Sequence, residues 1–406
     1  MNIVILTHYL PYPLSSGGAQ GQYNVIDQLR QRHNITLIFN EGSGNTRQAM
    51  KQLQQLWPEV KIIVYPYIRQ LGNLRFLRDK AIRAFQIAFA PHSRKLLIDR
   101  QLKPYGQWFS KDQIKFVNEI IAQQKPDVIQ VDFYQCLPWI NYLPKNVKKV
   151  FIHHEIGFIR TRRILQSFQL TEKETNKEAM SKKEEIENLN KYDRIITVTD
   201  IDKKILEDHH VTRAISVSPS AINTQPLPYI PWKGKLVFVG GYNHLPNREG
   251  IDWFIKEIAP LLPETKLDII GVGWPKSYHT TINKTEITLR GFIQDLSDVA
   301  YGNIMIVPLL TGSGMRMKIL EAGAMSLPIL TTSVGVEGLL FKDKESCLIA
   351  DSPKDFAKAI ELLFEDEQMR EKLGKNARKV FDSHYSIEVL TRLREDILKD
   401  VLKQTS

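Results

Sequence analysis

Along the first half of the chain, apolar residues fall in short, almost unbroken runs. These are NIVIL (2–6), NITLIFN (34–40), KIIVY (61–65), DVIQV (127–131), KVFIH (149–153) and RIITVT (194–199). Runs of this length without polar alternation predict strands covered on both faces, as in a parallel sheet. Between them lie segments with helical spacing, notably 20–32, 111–124 and 172–191. The order predicts βαβ units with right-handed crossovers and a doubly wound α/β domain. A proline-rich break follows in SPSAINTQPLPYIPWKGK (218–235), with Pro219, Pro226, Pro228 and Pro231, and reads as a linker. The pattern then restarts with KLVFVGG (235–241), a helix from about Asn247, KLDIIG (266–271), EITLRG (286–291), NIMIVP (303–308), LPILTT (327–332) and SCLIA (346–350). Two α/β halves about a hinge predict a cleft between them, and 387–403 reads as a separate last helix. The expected boundaries are a first domain over 1–217, a linker over 218–233, a second domain over 234–384 and a terminal helix over 385–406.

Composition narrows the class. A chain of 406 residues is too long for one typical core. Its two cysteines, Cys136 and Cys347, build neither a disulfide framework nor a metal-ligand spacing, which points to a reducing compartment. The start MNIVILTHYL lacks a basic leader and a cleavage site, and no apolar stretch approaches the roughly 20 residues that cross a bilayer. The expected location is cytoplasmic. The net charge of +10 calls for anionic partners. Part of it lies in 69–103, where Arg69, Arg75, Arg78, Lys80, Arg83, Arg94, Lys95, Arg100 and Lys103 alternate with Leu74, Phe76, Leu77, Ile82, Phe85, Ile87 and Phe89. Such a segment either lies against an anionic membrane surface or is a surface helix packed on its domain. No nucleic-acid recognition motif is present.

The densest chemistry is in VPLLTGSGMRMKILEAGAMSLPILTT (307–332), whose only charged groups are Arg316, Lys318 and Glu321. A strand delivers the chain to the carboxyl edge of a sheet, where open α/β folds bind ligands. Gly312 and Gly314 permit close backbone approach. A helix expected from about Ser313 would aim free N–H groups and its positive dipole end at the same place. Two cations there oppose the dipole unless an anion lies between them, so the pattern predicts a phosphate-bearing ligand. Arg316 offers a planar fork to phosphate oxygens and Lys318 a point charge. On a helix Gly314, Lys318 and Glu321 share a face, which leaves Glu321 about 10 Å further along, near a ribose. The bland reading is an exposed i, i+3 ion pair.

The segment PLLTGSGMRMKILEAGAMSLPILTTSVGVEGL resembles the donor-binding signature of the GT-B glycosyltransferases of family 4. FVGGYNHLPNREGIDWFIKEIAPLL, GFIQDLSDVA, PYPLSSGGAQGQYNVIDQL, HHE and YDRIITVTDIDKKIL resemble other segments of that family. The resemblance implies two Rossmann-like domains facing across a cleft, with the terminal helix crossing back to the first. It implies a retaining, metal-independent transferase that takes a sugar from a nucleotide diphosphate, UDP- or GDP-linked. Glu321 would hold the ribose and Arg316 and Lys318 the diphosphate, with the backbone over Ser313, Gly314 and Met315 alongside. The backbone near Phe292 and Ile293 would meet the base, and Gly17 and Gly18 would face the phosphates from the first domain. Many members carry a glutamate where this chain has Ser313, so contacts to the sugar must differ.

His153 and His154, at the end of a strand, are candidates to approach the donor sugar, or else histidines satisfied by backbone. His-His-Glu is no zinc site, because neighbouring strand residues point to opposite faces. Asp200 and Asp202 imitate a D-x-D metal motif but open a helix, where capping explains them. No metal or cofactor is expected. Asn247 and Arg248 either touch phosphate or simply begin a helix. The leading expectation is a transferase building a cell-surface glycan (lipopolysaccharide, capsule or exopolysaccharide) on a saccharide or lipid-linked acceptor, at the inner membrane face. The alternatives are an inactive binding subunit, suggested by Ser313, and a sugar-nucleotide epimerase on the same architecture.

Overall fold

The computed structural model describes residues 1–8, 10–14, 17–41, 46–66, 77–78, 81–82, 84, 98, 102, 109–166, 168–222, 224–312 and 315–404. The basic segment 69–103, and Ser313 and Gly314, therefore lie largely or wholly outside the described residues. The chain divides into two compact units, one of residues 1–219 with 391–406 and one of residues 220–390.

The first unit is built on β1 (Asn2–Thr7), β2 (Asn34–Asn40), β3 (Lys61–Tyr65), β4 (Val128–Asp132), β5 (Lys148–His153), β6 (Arg194–Thr197) and β7 (Ile215–Val217). They form one sheet in the order β3-β2-β1-β4-β5-β6-β7, and every pair is parallel. Covered on both faces, strands such as β1 and β4 are buried nearly throughout, as a sheet between two helical layers requires. The first helix runs Gly17–Leu29, three residues ahead of the expected start, so Gly17 opens it. The charged stretch Glu172–Leu189 is a helix closed by a capping box between Thr171 and Glu174, a reciprocal pair that satisfies two otherwise orphaned donors.

In the second unit the strands are β8 (Leu236–Val239), β9 (Thr265–Ile270), β10 (Thr280–Ile282), β11 (Thr285–Gly291), β12 (Ile304–Val307), β13 (Ile329–Thr331) and β14 (Leu348–Ile349). Their order is β10-β11-β9-β8-β12-β13-β14. β10 is the antiparallel exception, paired to β11 through a turn with Asn283 at φ +53°. Each sheet thus reverses its winding once, between β1 and β4 and between β8 and β12, and ligand crevices open beyond the carboxyl ends at such points.

Close backbone packing shapes the second of these places. A Cβ on Gly250 would meet the Pro308 carbonyl oxygen at 2.5 Å, so the helix Leu245–Trp253 rests directly on the chain leaving β12. Gly271 has φ +149°, and a Cβ there would come within 2.3 Å of the Gly240 carbonyl oxygen. Below this edge Ile304, Ile306, Ile319, Leu320 and Leu330 are fully buried, each contributing about 1.5–3 kcal/mol over leaving it in water. No helix among the described residues is long and apolar enough to cross a membrane.

Candidate functional site

The chain leaves β12 through Pro308, Leu309 and a loop containing Gly312, which has φ +138°. The following helix spans Met317–Ala324 and not 313 onward. Arg316 occupies its N-cap position with φ −87° and ψ 81°. Backbone outside the helical region at Arg316 is the physical reason for the later start. Lys318 and Glu321 lie on this helix, while the expectation placed on Gly314 falls outside the described residues.

Nor do the charged groups form an exposed pair. Arg316 is 6% exposed and Glu321 8%. The Arg316 guanidinium lies 3.5 Å from the carboxylate of Glu337, a partner 21 residues away with no sequence signal. Lys318 is half-buried as a residue, with its ammonium end enclosed. Its Nζ donates to Asn247 Oδ1 at 2.8 Å and sits 4.1 Å from the centre of the Phe238 ring. Asn247 is held in turn by its Nδ2, which donates to the Gly241 carbonyl at 3.0 Å. Its carboxamide is thus occupied at both ends and bridges Lys318 to the Gly241 backbone.

Burial depresses Lys318 to about 7; Glu321 opposes the fall and Arg316 adds to it. His244, at the N-cap of the helix Leu245–Trp253, is also depressed, chiefly by burial and then by Lys318 and Arg316, against a hydrogen bond to Asn247. Arg316, Lys318, His244, Asn247, Glu321 and Glu337 therefore form one polar cluster at the β8/β12 reversal. Its two cations, Arg316 and Lys318, are matched by two carboxylates, Glu321 and Glu337, so what the group offers an anion is the guanidinium and ammonium donors themselves and not a net positive charge.

Other expected residues are more scattered. Met315 accepts a hydrogen bond at its sulfur from the Ser220 amide at 3.3 Å. Phe292 is 68% exposed, and Ile293 is partly buried against the core of the second unit. Arg248 lies over the Tyr242 ring at 5.3 Å. Gly17 and Gly18 form the first turn of their helix in the first unit. Asp200 and Asp202 open the helix Asp200–Asp208, whose N-cap is Thr199. The Thr199 hydroxyl accepts from the Asp202 amide and donates to the Asp202 carboxylate at 2.7 Å, so this D-x-D is used in capping. Among the described residues no group of three His, Cys, Asp or Glu side chains is placed to hold a metal ion.

The two histidines part company. His153 is fully enclosed, with Nε2 3.2 Å from Glu185. The same carboxylate accepts from the amides of Gly157 and Phe158, each at 2.9 Å, closing the amino end of the helix Gly157–Leu165. His153 is thus part of the core. His154 turns to the sheet's carboxyl edge, stacked on Phe133 with ring centres 4.3 Å apart and 4.0 Å from Asp132. Sequence reading passed over Asp132, which ends a strand like any polar residue.

Residues 233–366 match the family described as Glycosyl transferases group 1. An uncharacterized 44.6 kDa protein in the cps region of Klebsiella pneumoniae is 28% identical over 138 residues, covering 31% of this chain and 36% of that protein. The match therefore spans about a third of that relative's length. Among solved structures, S. aureus TarM aligns with a TM-score of 0.68 at 14% identity, covering 99% of both chains. Anabaena Alr3699/HepE, solved in complex with UDP, aligns with a TM-score of 0.68 at 12% identity, covering 98% of this chain and 100% of that one. Residues 233–366 are a glycosyl transferases group 1 domain, set in a chain that has the fold of the GT-B glycosyltransferases.

Proposed function

We propose that the protein transfers a sugar from a nucleotide diphosphate to a saccharide or lipid-linked acceptor of a cell-surface polysaccharide, with retention and without a metal. The observation that carries this reading is the enclosed pair Arg316 and Lys318 at the foot of the Met317–Ala324 helix, within the matched domain. Breaking the anomeric bond builds positive charge on the sugar and negative charge on the departing diphosphate. Arg316, already charged in a dry site, stabilises that oxyanion with little reorganisation, and Lys318 regains its proton beside it. Arg316 and Lys318 take the diphosphate in this reading. Glu321 takes the ribose hydroxyls as acceptor, and the exposed Phe292 lies beside the base. His154 serves the donor sugar.

The UDP complex of the Anabaena neighbour makes UDP the first nucleotide to try, and the cps-region relative favours a capsule-type acceptor. The basic segment 69–103 makes the inner membrane face the proposed place of work. A thermal-shift panel of UDP, GDP, ADP, CMP and dTDP tests the reading. One nucleotide is expected to raise the unfolding temperature strongly, and Arg316→Ala to abolish most of that gain. Equal gains in parent and variant would remove Arg316 as a ligand. Turnover of the matching nucleotide sugar with an acceptor extract then separates transfer from binding alone, and product analysis without acceptor separates it from epimerisation.

A further inference from the structure

The carboxyl edge of the first unit's sheet holds a buried polar group that the transfer reading leaves unused. Asp132, the last residue of β4, is 1% exposed. Its Oδ1 accepts from Gln130 Nε2 at 2.9 Å and its Oδ2 from Gln22 Nε2 at 2.5 Å. Gln22 lies on the helix Gly17–Leu29, and its Oε1 accepts from the Thr7 hydroxyl of β1 at 3.4 Å. Arg394 supplies the nearby positive charge. It is 3% exposed and donates through Nε to the Ser218 hydroxyl at 3.0 Å. Burial brings Arg394 down to about 10, with Asp132 opposing the fall.

Two strands, one helix and Arg394 therefore hold a single carboxylate in place. Such a carboxylate needs its hydrogen bonds and a counter-charge to remain buried. Beside it, His154 Nε2 lies 4.0 Å from Oδ2. The imidazole is clamped from its face by Phe133, 4.3 Å away and tilted by 18°. Phe133 itself adopts φ +68° and ψ 143°. That conformation costs a bulky L-residue about 1–3 kcal/mol and persists where the surroundings enforce it, commonly at functional sites. The strained residue is the one that sets the ring plane of His154.

We infer that Asp132 is a positioning residue for His154, holding the tautomer with its proton on Nε2 and leaving Nδ1 as an acceptor for a substrate hydroxyl. A lone pair on Nε2 facing a buried anion 4.0 Å away is repelled, whereas an N–H there is attracted and closes toward a hydrogen bond. The tautomer of a histidine is set by the partner of its other nitrogen. This assignment deepens the proposed transfer and rests on it for the meaning of Nδ1, but the tautomer itself is independent of any activity.

The experiment has two arms. Protein labelled with [15N]histidine and free of ligand is studied by long-range 1H–15N NMR, with His154 assigned by its loss in His154→Gln. A resonance pair of the Nε2–H form, which becomes a mixture in Asp132→Asn, is expected; an Nδ1–H form in the parent overturns the proposal without any variant. In the second arm, transfer is measured in a cycle of Asp132→Asn, His154→Gln and the double variant. Asp132→Asn is expected to lower kcat roughly tenfold to hundredfold with little change in donor KM, as for partners that orient metal-bound histidines. It is expected to add nothing in the His154→Gln background. Equal losses in both backgrounds mean a merely structural carboxylate and overturn the assignment. A locked tautomer in protein that transfers no sugar would leave the positioning intact and sink the transfer reading instead.

Discussion

The enclosed Lys318 gives the proposed diphosphate site a dependence on pH that can be worked through. In the free protein burial holds this amine at about 7, with Arg316 pressing the same way and Glu321 against. A diphosphate beside it restores the cation, so binding above pH 7 must take up a proton. The sign follows from linkage: affinity is greatest where the free lysine is already charged, and it declines as pH rises through that value. If the bound amine stays protonated, the dissociation constant rises about eightfold between pH 7.5 and 8.5, and about 0.9 proton is absorbed at pH 8. His244 is depressed and is neutral throughout this window, and a terminal phosphate with its last pKa at about 6 is already ionised. Isothermal titration with UDP, or the diphosphate selected by the panel, in two buffers of different ionisation heat reads both quantities. Lys318→Arg, which cannot lose its charge, should bind with a flat profile. A parent protein that binds the nucleotide with no proton uptake and no pH slope would falsify the assignment of Lys318 to the phosphates.

Three further outcomes follow from the same contacts. Asn247→Ala removes the 2.8 Å acceptor that seats Lys318. It should weaken nucleotide binding about fivefold, the worth of one ordinary hydrogen bond; an unchanged titration curve rejects this role. Gly271→Ala places a methyl 2.3 Å from the Gly240 carbonyl at a left-handed φ, and a loss of roughly 2–4 kcal/mol is expected. A parental melting temperature would contradict it. Glu185→Ala strands two buried amides and the His153 ring and should cost about 3 kcal/mol, read as a lowered unfolding transition with the first unit's aromatic circular dichroism as probe.

Much of the architecture was written in apolar runs. β1 to β6 and most strands of the second half read directly, because parallel strands covered on both faces leave no polar alternation to blur them. The strands passed over were β7 (Ile215–Val217) and β10 (Thr280–Ile282). Each is three residues long, and β10 is an edge hairpin arm of the sequence TTI that offers no apolar run. At the site, Arg316, Lys318 and Glu321 were legible as a cluster but not as an enclosed one, since burial depends on Phe238, Asn247 and Glu337 arriving from other elements. The fate of His153 was hidden for a similar reason. Its partner Glu185 sits in EKETNKEAMSKKEEIENL, where it is one glutamate in a charged run and only its helix face distinguishes it. Asp132 was invisible because its meaning lies in Gln22 and Arg394, 110 and 262 residues distant in the chain.

The first unit is assembled from two stretches of chain separated by the whole of the second. The late stretch brings Arg394 to Ser218, Glu395 to Arg32 and His33, Asp400 to Arg194, and Ile397 to Ile152 and Ile196. During synthesis, residues 1–219 emerge long before those partners exist, so their sheet must wait, incompletely covered, until the ribosome has made residues 220–390 as well. A fragment ending at 219 would keep that vulnerability permanently. Anyone wishing to study this unit alone should supply 391–406 through a short tether.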